Sequence, residues 1–511
     1  MNANKKMVWF ICLTAITFMV ISQTPVSALQ PKPGGTFVHV VPPVLGFDIH
    51  KEVVGGSMEC LSAIFSSIVR YDENGGIAPE LAESWDVSAD GKVYTFHLRE
   101  NVYFHNGRKM TSADVKYSIE RILNPETASA RIDTLWLITK IETPDDKTII
   151  FTLSQPFVPF LAYLANEWVG IVAKENVEDG GINSHPIGTG PFMFKKMVAG
   201  SYVLLEKNPR YFKKGLPYLD ALKFQVITEP TAAVAAFRSK KADMSTLYTG
   251  ADEKLFRRVK GLKWEKTPIL PFAAMFFNHT KPPFDNPKVR LAVSYAIDRQ
   301  EQIDFANFGF GKVTAPIPEG LPEYSVPVNE LAGYQHDIKK AKQLLQEAGY
   351  PEGFTFKLMA CGDFQYYLSH CQVIQSQLKA IGINAEIVSL EWGAYIQSLF
   401  GSEGYDAFFL DFQVLPLDPD VYIYRLFHSQ GLWNARKFSD PQVDKLLEKG
   451  QVAVDLTQRK KIYRDLQIRL TDVAAAIWLY AFEYTYPIQP WVEGLMFPPT
   501  IPSYEGVWIN K

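Results

Sequence analysis

Hydrophobic and polar positions recur along this chain with two different periods, after a first stretch that has neither. Residues 7–22 are uncharged and mostly apolar, follow the positive pair Lys5-Lys6, and lead to the small-residue run Val26-Ser27-Ala28. That order matches the three regions of a secretory signal peptide, with cleavage expected after Ala28. Pro25 interrupts the apolar stretch, which is short for a membrane span of about 20 residues. Residues 34–40 then read as a strand, and Leu61, Ile64, Phe65 and Ile68 mark an amphipathic helix over 58–69. Residues 84–87 and 94–98 flank Ala89-Asp90-Gly91-Lys92, a turn that tolerates positive φ and predicts a β-hairpin. Thr111 opens a helix through Val115, Ile119 and Ile122, with Asp114 set to complement its first turn.

Residues 147–153 and 221–228 read as strands, 156–165 as a helical turn region, 186–192 as a Gly/Pro-rich connection, and 231–240 as a helix. The second half has a clearer rhythm. An apolar run at 269–278 precedes a helix opened by Asn286-Pro287. Asp337 caps a helix over 338–348 whose apolar face ends at Gly349. Strand, helix, strand, helix, strand follow at 354–359, 368–381, 384–389, 392–400 and 407–410, then helices at 441–451 and 457–472. That alternation predicts an α/β layer with mostly parallel strands.

Composition narrows the function. In 511 residues, 47% are hydrophobic, 21% charged and 13% aromatic, enough apolar material for a large core, and the length suits two to four domains. A formal charge of −3 argues against a nucleic-acid partner, which needs many phosphates neutralised. Once the leader is removed, Cys60, Cys361 and Cys371 remain, an odd number that permits at most one bridge, either Cys361–Cys371 or none. Cys361, His370 and Cys371 do not match metal-ligand spacing, and no metal or cofactor is expected. The usual local catalytic signatures are missing: no G-x-S-x-G, no H-E-x-x-H and no G-x-x-x-x-G-K-[ST]. The chain is not expected to be an enzyme, although catalytic residues can meet only in space, so an exported hydrolase stays as the alternative of a different class.

Several separated segments carry a family resemblance. Pro79-Glu80-Leu81-Ala82-Glu83-Ser84-Trp85, Tyr94-Thr95-Phe96-His97-Leu98-Arg99, Phe104-His105-Asn106-Gly107 and Thr111-Ser112-Ala113-Asp114-Val115 follow in order. Pro186-Ile187-Gly188-Thr189-Gly190-Pro191-Phe192, Asn208-Pro209-Arg210-Tyr211-Phe212 and Pro283-Phe284-Asp285-Asn286 continue the series. Together they resemble the family 5 extracellular solute-binding proteins of ABC importers, the peptide, nickel and opine group. The resemblance implies a two-lobed α/β periplasmic binding protein, type II-like and of cluster C, with an additional domain beside the N-terminal lobe. Lobe I would take residues 29–73, 188–272 and 488–511, the extra domain 74–187, and lobe III 273–487. Hinge crossings would fall near Phe277-Asn278 and Tyr486-Pro487.

In peptide-binding members of that family, an aspartate after a Gly-Trp pair holds the ligand ammonium. With Tyr405-Asp406 and Asp418-Pro419-Asp420 as anchors, the Gly-Trp pair falls at Asp411-Phe412 and the aspartate at Leu415, which cannot pair with an ammonium. Either Asp411, Asp418 or Glu167 substitutes, or the ligand is not an ordinary peptide with a free N-terminus; the second is favoured. Other cleft positions implied by the resemblance are Val53, Met58, Glu167, Trp168, Asp411, Phe412 and Gln413. Arg131 is a candidate for a ligand carboxylate. The expected function is capture of a small peptide-like, opine-like or other small polar organic ligand in the periplasm. Its partners would be that small molecule and the ABC importer permease subunits, with the protein a monomer. A nickel-chelate or haem carrier of the same fold is the alternative within the binding class.

Overall fold

The computed structural model describes residues 30–53, 55–129, 131–132, 135–268, 270–401, 405–412 and 417–511. Three principal sheets organise residues 32–511, each with its own buried cluster. Thr36–Val41 is interior to a seven-stranded sheet and runs parallel to both Ala221–Val226 and Met244–Ser245. Beyond Ala221–Val226 lies the antiparallel hairpin Tyr202–Lys207 and Phe192–Val198; beyond Met244–Ser245 lie Thr485–Ile488 and Lys263–Lys266. A four-stranded antiparallel sheet is ordered Ala82–Val87, Val93–Leu98, Thr148–Leu153, Ile138–Asp145. Alternation decides its faces: Tyr94, Phe96 and Leu98 point inward, and the helix Ser112–Leu123 buries Val115, Ile119 and Ile122. The Asp114 carboxylate accepts the Thr111 N–H at 2.9 Å and is held by Arg108 at 2.7 and 3.0 Å, which fixes the helix start.

The third sheet has five strands, ordered Asn384–Leu390, Thr355–Cys361, Ala407–Phe412, Phe272–Phe277, Ile477–Ala481. Helical crossovers Gln365–Leu378 and Trp392–Phe400 make the first three parallel, as the alternation predicts. The sheet as a whole is mixed, because Phe272–Phe277 pairs antiparallel on both sides. That strand enters directly from the seven-stranded sheet with no helix between, so nothing imposes a parallel direction. All six of its residues are buried, as is every residue of Ile477–Ala481, the signature of strands covered on both faces. At roughly 1.5–3 kcal/mol per large side chain, Phe272, Phe276, Phe277 and Trp478 anchor this core.

Sheet membership moves the expected crossings. Phe277 and Asn278 lie at the far end of a strand already inside the five-stranded sheet, and Tyr486-Pro487 lies inside Thr485–Ile488 of the seven-stranded one. The chain passes between the sheets at 267–271 and returns at 482–484. The Asp337 carboxylate accepts the Lys340 N–H at 2.9 Å, and Gly349 has φ +88°, so the helix Ile338–Glu347 starts and stops where its sequence signals lie. Cys60, Cys361 and Cys371 are buried free thiols, so the Cys361–Cys371 bridge is not formed. Among the described residues no helix is long and apolar enough to cross a membrane.

Gly188 and Gly190 show why the connection at 186–192 is rich in glycine. It passes directly under the last turn of the helix Gly55–Ile64: a Cβ on Gly188 would lie 2.1 Å from the Ile64 carbonyl oxygen, and one on Gly190 2.6 Å from that of Ala63. Backbone cannot yield there as a flexible side chain can. Gly188→Ala is expected to lower the unfolding free energy by about 1–3 kcal/mol in urea titration, and a change near zero would show that the connection can move.

Candidate functional site

Parallel strands end together, and the side chains that follow their carboxyl ends gather at one edge of a sheet. In the five-stranded sheet that edge carries Asp363 and Phe364 after Thr355–Cys361, Trp392 after Asn384–Leu390, and Asp411 and Phe412 at the end of Ala407–Phe412. In the seven-stranded sheet the corresponding edge carries the loop 42–53 after Thr36–Val41 and Tyr248 after Met244–Ser245. The two edges meet. Tyr248 packs edge-on against Tyr484 of the second crossing at 5.2 Å, and the Gly250 N–H donates to Asn307 Oδ1 at 3.3 Å. A Cβ on Gly250 would lie 2.3 Å from the Asn307 carbonyl oxygen, so that approach needs glycine.

Asp411 is held by phenols. Tyr366 Oη donates to Oδ2 at 3.0 Å and Tyr367 Oη to Oδ1, both neutral donors. Burial raises the Asp411 pKa, and the Tyr367 and Tyr366 hydrogen bonds pull it part of the way back. The Tyr366, Tyr367, Tyr480 and Tyr484 phenols are pushed well above their ordinary range, by burial first and the Asp411 charge second. The Tyr484 hydroxyl is buried without a hydrogen-bond partner among the described residues, on a residue only 7% exposed. Phe412 turns to the other face of the strand and packs on Phe272 and Phe276, each at 5.7 Å.

The second acid of the site is Glu59, on the helix Gly55–Ile64. It accepts Thr246 Oγ1 at 2.8 Å and Tyr248 Oη at 3.2 Å, and its Oε2 lies 3.3 Å from His39 Nε2. Burial pushes Glu59 up to about 8 and His39 down to about 3, so at neutral pH the pair is a carboxylic acid beside a neutral imidazole rather than a salt bridge.

The structure does not gather the residues singled out in the sequence at one place. Val53 is exposed, and Met58 is buried in the core beneath the seven-stranded sheet. Arg131 is nearly fully buried; its guanidinium lies 3.6 Å over the Trp168 ring and donates to the Glu52 carbonyl at 3.0 Å. Glu167 accepts a hydrogen bond from Thr500 Oγ1 and is pushed up to about 7 by burial. Asp411 and Phe412 belong to the other sheet. Gln413 and Leu415 lie outside the described residues. Asp418 cannot substitute for a missing aspartate, because Arg459 takes both its oxygens at 2.7 and 2.8 Å. Sequence reasoning passed over Glu59, Tyr248, Phe364, Tyr366, Tyr367, Trp392 and Tyr484. Two signals were available: an acid embedded in the apolar helix at Glu59, and the aromatic run Phe364, Tyr366, Tyr367 directly after Gly362-Asp363. Among the described residues no group of His, Cys, Asp and Glu could hold a metal ion.

Residues 76–434 match the family described as bacterial extracellular solute-binding proteins, family 5. The glutathione-binding protein GsiB of Pectobacterium atrosepticum is 28% identical over 435 residues, covering 83% of this chain and 84% of its own length. Two solved structures cover 94% of this chain and 99% of their own. One is the periplasmic binding protein AgaA of A. tumefaciens R10 in complex with agropinic acid, at 31% identity and TM-score 0.82. The other is the periplasmic binding protein DppA of Helicobacter pylori in complex with the peptide STSA, at 28% identity and TM-score 0.83. The mixed α/β architecture described above is therefore the two-lobed periplasmic binding protein fold.

Glu59 makes stability depend on pH. Its folded pKa of about 8 exceeds the ordinary 4.5, so the folded protein keeps a proton that the unfolded chain releases. The associated stability is fully present below the unfolded value and is lost as pH rises toward about 8; Glu167 and Asp420, each raised to about 7, act with the same sign. Between about pH 7 and about pH 9, where the buried imidazoles such as His39 are neutral in folded and unfolded chain alike, melting temperature is expected to fall, and Glu59→Gln to shrink that fall by a few degrees. An unchanged slope in the variant would show that Glu59 is ionised in the fold.

Proposed function

Because the chain belongs to the family 5 bacterial extracellular solute-binding proteins, we propose that it captures a small peptide-like, opine-like or other small polar organic solute between two lobes and delivers it to the permease of an ABC importer. The observation that carries this reading is the meeting of two carboxyl strand edges, one bearing Glu59 and Tyr248, the other Asp411 and Trp392, with Tyr484 on one of the only two chain crossings that join them. Closure around a solute requires only that the closed state bind it better than the open one. Relatives named for glutathione, agropinic acid and a tetrapeptide support a ligand of that size and polarity.

In this reading the leader is removed after Ala28 and the mature chain works in the periplasm as a monomer, without catalysis. One lobe takes residues up to 73, from 188 to the first crossing and from the second crossing to 511. The extra domain takes 74–187, and the other lobe the chain between the crossings. Contacts that join these parts, such as the Val158 N–H on the Gln451 carbonyl at 3.0 Å and the Leu417 N–H on Tyr71 Oη at 3.2 Å, belong to the closed state. The ligand is not an ordinary peptide with a free N-terminus, since leucine stands at 415, Arg459 already neutralises Asp418, and Asp411 and Glu167 are each engaged by hydroxyl donors.

Isothermal titration and thermal-shift screens of the mature protein test the reading. A bound ligand at about 100 Kd adds ~2.7 kcal/mol of stability, a visible rise in melting temperature. No stabilising ligand among peptide-like and opine-like compounds, together with turnover in a hydrolase assay, would overturn it. Asp411→Ala is expected to weaken the ligand carried from the producing cell about tenfold or more, while Leu415→Asp leaves peptide binding no weaker and creates some. Wild-type binding of di- and tripeptides at sub-micromolar Kd would refute the exclusion of ordinary peptides.

A further inference from the structure

Three neighbouring parallel strands end level with one another: Cys361 pairs with Leu390, and Met359 with both Val388 and Phe408. Just past those ends stand two large aromatic side chains that the core does not absorb. Phe364 is 39% exposed and Trp392 is 42% exposed, although their rings meet at 5.8 Å. Phe364 also touches Tyr366 at 5.9 Å and Tyr367 at 5.5 Å, and Trp392 stacks on Tyr395 at 6.1 Å. Behind these faces lies the Asp411 carboxylate, held among the described residues by Tyr366 and Tyr367.

The charged side chains on the wall's own segments have one sign. Asp363 accepts the Trp392 N–H at 2.8 Å, and Glu391 accepts the Gly393 N–H at 2.8 Å. No lysine or arginine occurs in the sequence between Lys357 and Lys379, nor between Lys379 and Arg425. Of the cations on the elements beside this edge, Lys266 pairs with Glu483, and Lys312 pairs with Glu319 at 3.0 Å. The Tyr484 hydroxyl, buried without a partner among the described residues, stands in the field of the same Asp411.

We propose that this wall takes a cationic group of the ligand, a guanidinium or an alkylated ammonium, with Trp392, Phe364 and Tyr366 offering ring faces and Asp411 the counter-charge. The proposal rests on the solute-carrier reading and names the chemistry of its ligand. A primary ammonium is a compact, strongly hydrated charge that needs several acceptors at once. Here one carboxylate, with an oxygen site on each side already taken by a phenol, is surrounded by aromatic rings, which suits a delocalised or alkylated cation. The Tyr484 hydroxyl can bond a polar atom elsewhere on the same molecule.

Thermal shift and isothermal titration of the mature protein with agmatine, choline and glycine betaine test this, with the neutral tert-butyl analogue of choline as control. At least one cationic probe is expected to bind, the neutral analogue to bind tenfold or more weaker, and Trp392→Leu and Asp411→Asn each to weaken the cation at least tenfold. Trp392 is exposed enough that Trp392→Leu leaves the core intact; melting temperature without ligand checks this. Binding of none of the cations, equal binding of the neutral analogue, or a Trp392→Leu variant that binds unchanged would each overturn the proposal. Small-angle scattering separates the two readings: compaction only by solutes that carry no cationic group leaves the carrier standing and removes the cation, whereas compaction by no solute of any charge removes both.

Discussion

Two short passages of chain, 267–271 and 482–484, hold the seven-stranded and five-stranded sheets in their relation to each other. They lie side by side, since Phe272 pairs with Ala481 on one side and Lys266 with Thr485 on the other. Each passage leaves one sheet at the edge where its parallel strands finish and enters the other at the matching edge. The carboxyl ends of both sheets are thereby aimed at the same space, and side chains from residues as distant as Glu59, Tyr248, Asp411 and Tyr484 become neighbours. A single crossing would leave the sheets free to twist about one strand; a hydrogen-bonded pair leaves one soft direction, opening and closing.

The buried acids follow from that arrangement. Glu59, Glu167 and Asp411 are each bonded to hydroxyls rather than to a cation. Elsewhere the protein neutralises buried charge conventionally: Asp48 with Arg121 and Asp418 with Arg459 are bidentate pairs. The contrast separates acids held ionised against a cation, which serve the fold, from acids that burial among hydroxyls pushes toward the protonated form.

Much of the fold was legible. The helix Ile338–Glu347 announced its cap at Asp337, its face through Ala341, Leu344 and Leu345, and its stop at Gly349, all local signals that the structure obeys. The hairpin Phe192–Val198 with Tyr202–Lys207, and the strand Ile138–Asp145, were not, because few of their residues are buried and their alternation carries little hydrophobic contrast. The site was legible in part. Asp411 lies one residue past the strand read at 407–410, and its donors Tyr366 and Tyr367 come from a helix forty-odd positions earlier. Glu59, Tyr248 and Tyr484 meet only because the crossings bring them together. Periodicity locates elements; it does not say which ends of which elements will share a space.

The placement of Thr485–Ile488 also governs the order of assembly. That strand lies between Met244–Ser245 and Lys263–Lys266, and the latter has no other neighbour in its sheet. His39, on the first strand, is bonded to Tyr504, seven residues from the chain end. The part of the molecule synthesised first is thus among the last to be completed, while the parallel core between the crossings can form from contiguous strand-helix units at much lower loop-closure entropy. A chain interrupted short of its last thirty residues would hold a finished five-stranded sheet and an open seven-stranded one, with an unpaired edge on Lys263–Lys266 available to any passing strand.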